Sequence, residues 1–268
     1  MNVFNGIFGE RIFKAATLSA LIFFILFLVG IVVSMICYIS SDRFISILFS
    51  KEIIFAIKLS LITATIAVLI SVAIGIPAAY ALSQTEFWGK DIIDTILDLP
   101  IVISPIALGA ALLIFFSTPI GSGIEEHGIK FVFVIPGIIL AQFVVVSALC
   151  IRLMKSTFDA IGSRYEDVAR TLGCNKFQAF FKVTLPLAKN GLLAAGILTW
   201  ARAIGEFGAT VTLAGATAMK TETLPIAIFL SLASADVEKA IAVILILIII
   251  SITSLFAIRK IAGSGWSI

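Results

Sequence analysis

The chain contains few charged residues: Asp, Glu, Lys and Arg make up 13% of its 268 residues, whereas hydrophobic residues make up 60%. Soluble domains carry roughly 25% charge, so this composition excludes an ordinary soluble protein. The formal net charge is only +3, and no basic tract is present that would bind a phosphate backbone. Nucleic acid is therefore excluded as a partner, and lipid is expected instead.

Metal-ligating residues are also scarce, since the chain has 3 cysteines and 1 histidine. Cys37 and Cys150 lie in apolar runs and Cys174 lies in a polar loop, which suits neither a disulfide framework nor a metal site. His127 follows two glutamates, and we interpret this stretch as a solvated loop. A convergent catalytic set is not evident, so an enzyme is not indicated.

A third absence is the phosphate-binding loop GxxxxGK[ST]. The Gly89-Lys90 pair lacks both the upstream glycine and the following hydroxyl residue. We therefore predict that the chain does not hydrolyse ATP by that route. Any ATP-derived work would have to come from a partner.

What the chain does have is long apolar segments, each above the roughly 18 residues that indicate a membrane-spanning helix. They predict an all-α, polytopic transmembrane helical bundle with six spans. The segments run over 12–39, 53–83, 95–116, 131–151, 187–213 and 237–258.

The third segment is interrupted by Pro100 and Pro105, and we expect it to be bent and packed against protein, because proline frees backbone carbonyls. Asp94 and Asp98 lie at its start. We interpret them as helix N-terminal charges, with contact to a regulatory surface as the alternative.

Lys and Arg are unevenly distributed between the loops. The 152–189 loop alone holds more of them than all the loops on the opposite side. By the positive-inside rule, this loop and both termini are predicted to be cytoplasmic. We divide the chain into an N-terminal helix and external loop (1–52), a core (53–258) and a short cytoplasmic tail (259–268).

The 152–189 loop is patterned as two short helices. Ser163 and Glu166 have the spacing of a capping box, and Asp167 adds negative charge to the same first turn. Gly173 is placed for the left-handed residue after the helix, and Asn175 with Gln178 predicts a second capping box. Pro186 suits the first turn of the next span. An apolar face is predicted from Tyr165, Val168, Ala169 and Leu172.

Three interpretations of this loop stay open on the residues alone. It could be a helical hairpin that covers the end of the bundle, or a docking element whose apolar face enters a groove on a partner. A DNA-binding helix-turn-helix is a poor third, because the loop is tethered to the bilayer at both ends.

The sequence Glu166-Asp167-Val168-Ala169, then Gly173, then Val183-Thr184-Leu185-Pro186 resembles the Glu-Ala-Ala (EAA) loop of binding-protein-dependent ABC importer permeases. Asp167, Val168 and Val183 depart slightly from that pattern. The resemblance implies a type I (MetI-like) permease unit over about 53–258 and a coupling helix at about 163–173. It implies that Ala169 packs closely against an ATPase subunit. The implied coupling residues are Ser163, Glu166, Asp167, Ala169, Gly173, Leu185 and Pro186.

The same resemblance implies the partners and the location. A homodimer of the permease, two ATP-binding cassette subunits and an extracytoplasmic binding protein are expected, in the inner or plasma membrane. No cofactor is expected in this chain, with ATP and Mg²⁺ held by the ATPase subunits.

A second notable stretch places charges inside a span. Arg202 and Glu206 are four residues apart and can pair on one helical face, with Thr199 and Thr210 on the same face. Charged side chains inside a membrane span normally face protein or a water-filled path. Arg202 and Glu206 are therefore open to two compatible interpretations: a buried pair that fixes helix packing, or part of the translocation pathway or its gate.

The segment ARAIGEFGATVTLAG, followed by Thr221-Glu222-Thr223-Leu224-Pro225, resembles molybdate and tungstate permeases, and sulfate permeases are similar. The implied cargo is a tetrahedral oxyanion, with molybdate or tungstate favoured over sulfate or thiosulfate. An ATP-independent secondary transporter is the remaining alternative, although no internal repeat is evident.

Overall fold

The computed structural model describes residues 2–126 and 128–262. Within these ranges the chain forms thirteen α-helices and one π-helical turn. In chain order they are α1 (Asn2–Tyr38), α2 (Ser41–Leu48), α3 (Lys51–Gln84), α4 (Lys90–Val102), α5 (Pro105–Phe116), α6 (Pro119–Glu126), α7 (Ile135–Ile161), α8 (Arg164–Thr171), α9 (Lys176–Ala179), the π-helical turn (Phe180–Thr184), α10 (Leu185–Ile204), α11 (Gly208–Ala214), α12 (Leu224–Ala233) and α13 (Val237–Ala262).

Helices long and apolar enough to cross a membrane coincide with four of the six predicted spans. Among the described residues these are Ile12–Tyr38, Lys51–Gln84, Ile135–Ile161 and Val237–Ile258. A fifth is obtained if α4 and α5 together count as one span. The all-α class is confirmed, and the number of spans is four or five by length and composition.

The predicted third span is bent, as expected from its prolines. The axes of α4 and α5 differ by 107°. Pro105 begins α5, and the backbone just before it is extended at Ile103 (φ −72°, ψ 138°). Proline disfavours helical geometry in the residue that precedes it, which explains why the break falls at 103–104 while Pro100 stays inside α4.

The prediction of one continuous helix over 187–213 is wrong. The helix α10 ends at Ile204, and α11 begins at Gly208 after a three-residue break. The break coincides with Glu206, whose side chain accepts a hydrogen bond from the Ala209 amide at 3.1 Å. A carboxylate that satisfies a free amide in this way allows a helix to start again inside an apolar environment.

The core of the bundle forms around α7, which packs against α3, α10 and α11. The contact between α5 and α11 is very close at Gly109, where a Cβ atom would lie 2.7 Å from the Ala209 carbonyl oxygen. A glycine is therefore required for these two helices to approach as they do.

The first helix lies apart from this core. Its apolar window is entirely unburied, and its main contact is with α13. This separation agrees with a boundary near residue 52, but the predicted division of the chain is not tested and stays a prediction. Residues 263–268 of the predicted tail lie outside the described residues.

Candidate functional site

The polar hairpin, residues 162–184, links α7 to α10 and consists of α8, α9 and the π-helical turn. Gly173 has φ +93°, the left-handed conformation that its position predicted. Its amide donates to the Arg170 carbonyl at 3.0 Å, and the Cys174 amide donates to the Ala169 carbonyl at 3.1 Å. These two bonds are a Schellman motif, which ends α8 with its last carbonyls satisfied.

The second capping box is confirmed at the start of α9. The Gln178 amide donates to the Asn175 side chain at 2.8 Å, and the Asn175 amide donates to the Gln178 side chain at 3.1 Å. Pro186 lies in the first turn of α10, as predicted. That turn continues directly from the π-helical turn, so the chain re-enters the bundle without leaving helical geometry.

The capping box predicted from Ser163 and Glu166 is absent, so that prediction is wrong. Ser163 has helical backbone angles (φ −78°, ψ −17°), and its side chain makes no capping bond. A capping serine needs an extended backbone to reach the third amide of the helix. Glu166 instead turns inward: it is only 6% exposed, and it accepts hydrogen bonds from the hydroxyls of Tyr80 and Thr184.

The outer face of the polar hairpin is apolar and uncovered within the described chain. Tyr165 and Val168 on α8 and Leu172 just after it are exposed, Leu172 to 81%, and Phe177 and Phe181 further along the hairpin are exposed with their rings 4.6 Å apart. Exposed apolar side chains concentrated in one element indicate a binding surface. We call these five residues the hairpin face.

Ala169 lies beside Tyr165 on α8, towards the side of Glu166, and is 7% exposed. Its close packing against a partner stays a prediction. Asp167 is exposed and lies 3.9 Å from Arg170, and Leu185 is half-buried against the core beside α7.

The second candidate site is the break between α10 and α11. The predicted pair is present: Arg202 Nη1 lies 2.7 Å from Glu206 Oε2. The glutamate side chain is 1% exposed and the arginine side chain 41% exposed, so the pair has one buried and one accessible end. Thr199 is buried and donates to the Ala195 carbonyl at 2.8 Å.

Two buried polar atoms near this break have no hydrogen-bond partner among the described residues: the hydroxyl of Thr210 and Oε1 of Gln142. The other side-chain atom of Gln142, Nε2, donates to the Ala203 carbonyl at 3.1 Å. Gln142 was not predicted from the sequence, although a lone amide inside the apolar 131–151 segment was a usable signal. Unpaired polar atoms of this kind are typical of a site that contacts water or a ligand.

A third polar cluster joins α4 to α7 and corrects the interpretation of Asp94 and Asp98. Both lie beyond the first turn of α4, which begins at Lys90. Arg152 contacts both carboxylates, with Nη1 2.9 Å from Asp94 Oδ1 and Nε 2.6 Å from Asp98 Oδ1. The two aspartates are therefore held by an arginine on a neighbouring helix, 54 and 58 residues along the chain, and they are not N-terminal charges.

The fourth cluster lies at the opposite end of the bundle from the polar hairpin. Glu222, in the link between α11 and α12, is fully buried, and its Oε2 accepts from the Met219 amide at 2.9 Å. Glu52 lies beside it and pairs with Lys239 at 2.7 Å. Burial and the neighbouring Glu52 carboxylate raise the pKa of Glu222.

The loop that holds His127 is only partly described, because His127 itself lies outside the described residues. The preceding Glu125 has a structural contact: its Oε1 accepts from the Phe131 and Val132 amides at 2.7 and 3.2 Å. Its carboxylate therefore caps the turn that leads into α7.

A bundle of apolar helices, with one polar hairpin that exposes apolar side chains and with a carboxylate buried at a broken helix, is typical of a multi-pass membrane protein. The chain belongs to the family described as binding-protein-dependent transport system inner membrane component, which matches residues 71–262.

Three relatives come from bacteria and an archaeon. The probable molybdenum ABC transporter permease protein of Haloferax volcanii is 40% identical over 171 residues, covering 64% of this chain and 61% of that protein. The sulfate transport system permease protein CysW of Synechococcus elongatus is 36% identical over 175 residues, covering 65% and 61%. The molybdenum transport system permease protein ModB of Escherichia coli K12 is 36% identical over 177 residues, covering 65% and 77%.

The fold is also that of a solved transporter. A bacterial alginate ABC transporter, crystallised in complex with its alginate-bound periplasmic protein, contains a chain with TM-score 0.74 and 18% identity. The similarity covers 99% of this chain and 100% of that chain. By family the chain is thus an ABC importer permease, and its fold is similar to that of the solved chain.

Proposed function

We propose that this permease carries a tetrahedral oxyanion, with molybdate or tungstate favoured. The observation that carries the proposal is the pair of relatives named for molybdenum, at 40% and 36% identity. The CysW relative, at 36%, supports sulfate as the second candidate. Both kinds of oxyanion are tetrahedral dianions, so either would suit the same pathway.

The hairpin face is proposed to dock on an ATP-binding cassette subunit that holds ATP and Mg²⁺. The face is apolar and exposed, and its α8 part is flanked by glycine turns at Gly162 and Gly173. Such a helix, laid into a groove of a partner, is a common recognition mode. Because the chain lacks a phosphate-binding loop, ATP hydrolysis is assigned to that partner. The hairpin end and both termini are proposed to be cytoplasmic, and the Lys and Arg distribution supports this orientation.

The working assembly is proposed to contain two copies of this permease, two ATPase subunits and an extracytoplasmic oxyanion-binding protein. The family description, which names dependence on a binding protein, supports the last of these. Closure of the ATPase subunits would press on residues 163–173. The pathway would then open alternately to one side of the membrane and to the other.

The break between α10 and α11 is proposed to line the pathway or its gate. A lone arginine in the path would trap a dianion, whereas transport requires binding weak enough for release. Glu206 neutralises Arg202 at 2.7 Å, and the unpaired Thr210 hydroxyl and Gln142 Oε1 leave polar contacts without a deep charge well.

The test is uptake of labelled molybdate into proteoliposomes that contain the permease, its ATPase subunit and its binding protein. We expect uptake that requires ATP and is inhibited by unlabelled molybdate and tungstate at concentrations well below those needed for sulfate. Stronger inhibition by sulfate would support the sulfate alternative. Uptake independent of ATP would contradict the proposed mechanism and favour a secondary transporter.

A further inference from the structure

The helix α8 is attached to the rest of the bundle at few points. Only Glu166 and Ala169 are buried among its eight residues. Gly162 precedes the helix with φ +69°, and Gly173 follows it with φ +93°. Glycine turns at both ends let the helix tilt relative to its neighbours. Its mechanical connection to the bundle therefore depends on what its two buried side chains contact.

Glu166 makes this connection with both of its oxygens. Oε2 accepts from the Tyr80 hydroxyl on α3 at 2.9 Å. Oε1 accepts from the Thr184 hydroxyl, the last residue before α10. One carboxylate thus joins α8 to two membrane helices at once. Bonds of this kind, in which the acceptor carries a charge, are stronger than neutral ones.

The donor on α3 is itself held in place by aromatic rings. The Tyr80 ring lies 5.8 Å from Phe158 on α7 and 4.6 Å from Phe180 in the π-helical turn, centroid to centroid. Edge-to-face contacts at these distances fix the ring orientation. The Tyr80 hydroxyl is therefore presented to Glu166 from a point where α3, α7 and the start of α10 meet.

We propose that Tyr80 and Thr184 are positioning residues for energy coupling, and that their bonds to Glu166 transmit movement of α8 to α3 and α10. We call the three side chains the hairpin latch. The inference rests on the proposed function in one respect, namely that α8 docks on the ATPase subunit. Without the latch, α8 would still present the hairpin face but would slide on the bundle instead of moving it.

The chemistry of the three groups supports a carboxylate at this position. Two hydroxyl donors on different helices require an acceptor with two free oxygens, which Glu166 supplies. A glutamine has one carbonyl oxygen and an amide donor, so Glu166→Gln can keep one arm of the latch at most. The hydroxyls can be removed without changing the packing by Tyr80→Phe and Thr184→Val, which keep the aromatic cluster and the side-chain shape.

The experiment uses the assembled complex in proteoliposomes with the binding protein and labelled molybdate as probe, and it measures uptake and ATP hydrolysis together. A hydrogen bond to a charged group is worth about a factor of ten or more in an equilibrium. We expect Tyr80→Phe with Thr184→Val to lower the uptake per ATP hydrolysed about tenfold, and each single change to lower it less. Co-purification of the ATPase subunit should be unchanged. Tyr38→Phe and Thr253→Val remove the same groups from exposed positions on α1 and α13 and should have no effect.

The uptake per ATP hydrolysed distinguishes a coupling defect from a folding defect. A variant that merely folds less well loses uptake and ATP hydrolysis together, so its ratio stays unchanged. An unchanged ratio in the double variant would overturn the proposal, as would loss of the ATPase subunit from the complex. Leu172→Asp, on the hairpin face, tests the docking step by itself. If the ATPase subunit still co-purifies with Leu172→Asp and uptake stays coupled, docking at this face is wrong whatever the latch variants do.

Discussion

Buried carboxylates at Glu166 and Glu206 illustrate what single residues contribute to this protein. Each has two oxygens with separate partners, and each is placed where a helix ends or begins. Glu206 accepts from Arg202 and from the Ala209 amide. A buried carboxylate with both oxygens satisfied is tolerated in an apolar bundle, whereas one that has lost a partner is strongly unfavourable.

The pairing of Arg202 with Glu206 gives a prediction at this scale. Charge reversal at either site alone should lower uptake at least about tenfold, because two like charges would lie side by side with one of them buried. The double variant Arg202→Glu with Glu206→Arg should recover more uptake than either single change. The measurement is labelled oxyanion uptake by the assembled complex, normalised to the amount of permease in the membrane.

A control comes from the pair Arg43 and Glu238, whose side chains are 50% and 48% exposed. Exposed pairs contribute little, so reversal there should change uptake only slightly. If the Arg202 and Glu206 double variant is no better than the single variants, the two residues do not act as a pair.

Spacing of four residues on a continuous helix predicted the Arg202–Glu206 pair. The pair is present although α10 ends at Ile204 and Glu206 lies in the break after it. The same kind of local pattern gave the wrong partner for Glu166. Its real partners, Tyr80 and Thr184, lie 86 and 18 residues away in the chain. Arg152 was missed for Asp94 and Asp98 for the same reason. Contacts between distant segments depend on tertiary packing, and local sequence patterns carry no information about it.

At the scale of elements, glycines and prolines were the most reliable signals. Gly173 was predicted as the left-handed residue after α8, and the bend of the third segment was predicted from its prolines. The interruption at 205–207 was missed because the segment 187–213 is apolar almost throughout. The feature at the break is the Glu206 carboxylate, which satisfies the Ala209 amide, and its effect depends on burial.

The Schellman turn at Gly173 gives the prediction for this scale. Gly173→Val forces a β-branched residue into the left-handed region at a cost of roughly 1–2 kcal/mol. The end of α8 should then unwind and displace the hairpin face, so ATP hydrolysis should become uncoupled from uptake while the spans still insert. The measurement is uptake and ATP hydrolysis in the same proteoliposomes, with membrane insertion checked by protease accessibility.

Gly89 offers a matched control, since it has φ +83° and, like Gly173, open space where a Cβ atom would lie, with no neighbouring atom within 4 Å. Gly89→Val should carry a similar backbone cost without affecting coupling. Normal coupled transport in Gly173→Val would show that the turn does not hold the docking helix.

At the scale of the whole molecule, the cluster of Glu222, Glu52 and Lys239 connects α3, the link before α12 and α13 at one end of the bundle. Asp236 adds a further nearby charge. The fold was predictable here because apolar length and periodicity dictate helices in a bilayer. The cluster was not, since its members lie in three separate segments. The transported ion could not be predicted from the charges and motif spacing of the sequence either, because the candidate oxyanions have the same shape and charge.

This cluster predicts a pH dependence of stability. The pKa of Glu222 is raised in the folded protein above its ordinary value of 4.5, chiefly by burial. The folded state therefore holds a proton that the unfolded state releases. Its stabilising effect is complete below the ordinary value and is lost as pH rises through the raised value. Glu222→Gln should remove this decline, because the amide can donate to Glu52 and still accept from the Met219 amide.

The measurement is thermal unfolding of the purified protein in detergent between about pH 5 and pH 8. Glu238→Gln, which changes an exposed glutamate at the same end of the bundle, should leave the pH profile of the unmodified protein intact. If the unfolding temperature of Glu222→Gln falls with pH as steeply as that of the unmodified protein, the role assigned to Glu222 is contradicted.

The isolation of α1 has a consequence for how the protein is made. An α-helix satisfies its own backbone in lipid, and no residue in the apolar window of α1 is buried against the other helices. It can therefore enter the bilayer as soon as it is synthesised, without waiting for any later segment. The broken α10–α11 region, with its buried Glu206 carboxylate, requires the packing of α3, α5 and α7 around it. The chain thus combines a segment that needs no neighbours to insert with segments that need several of them.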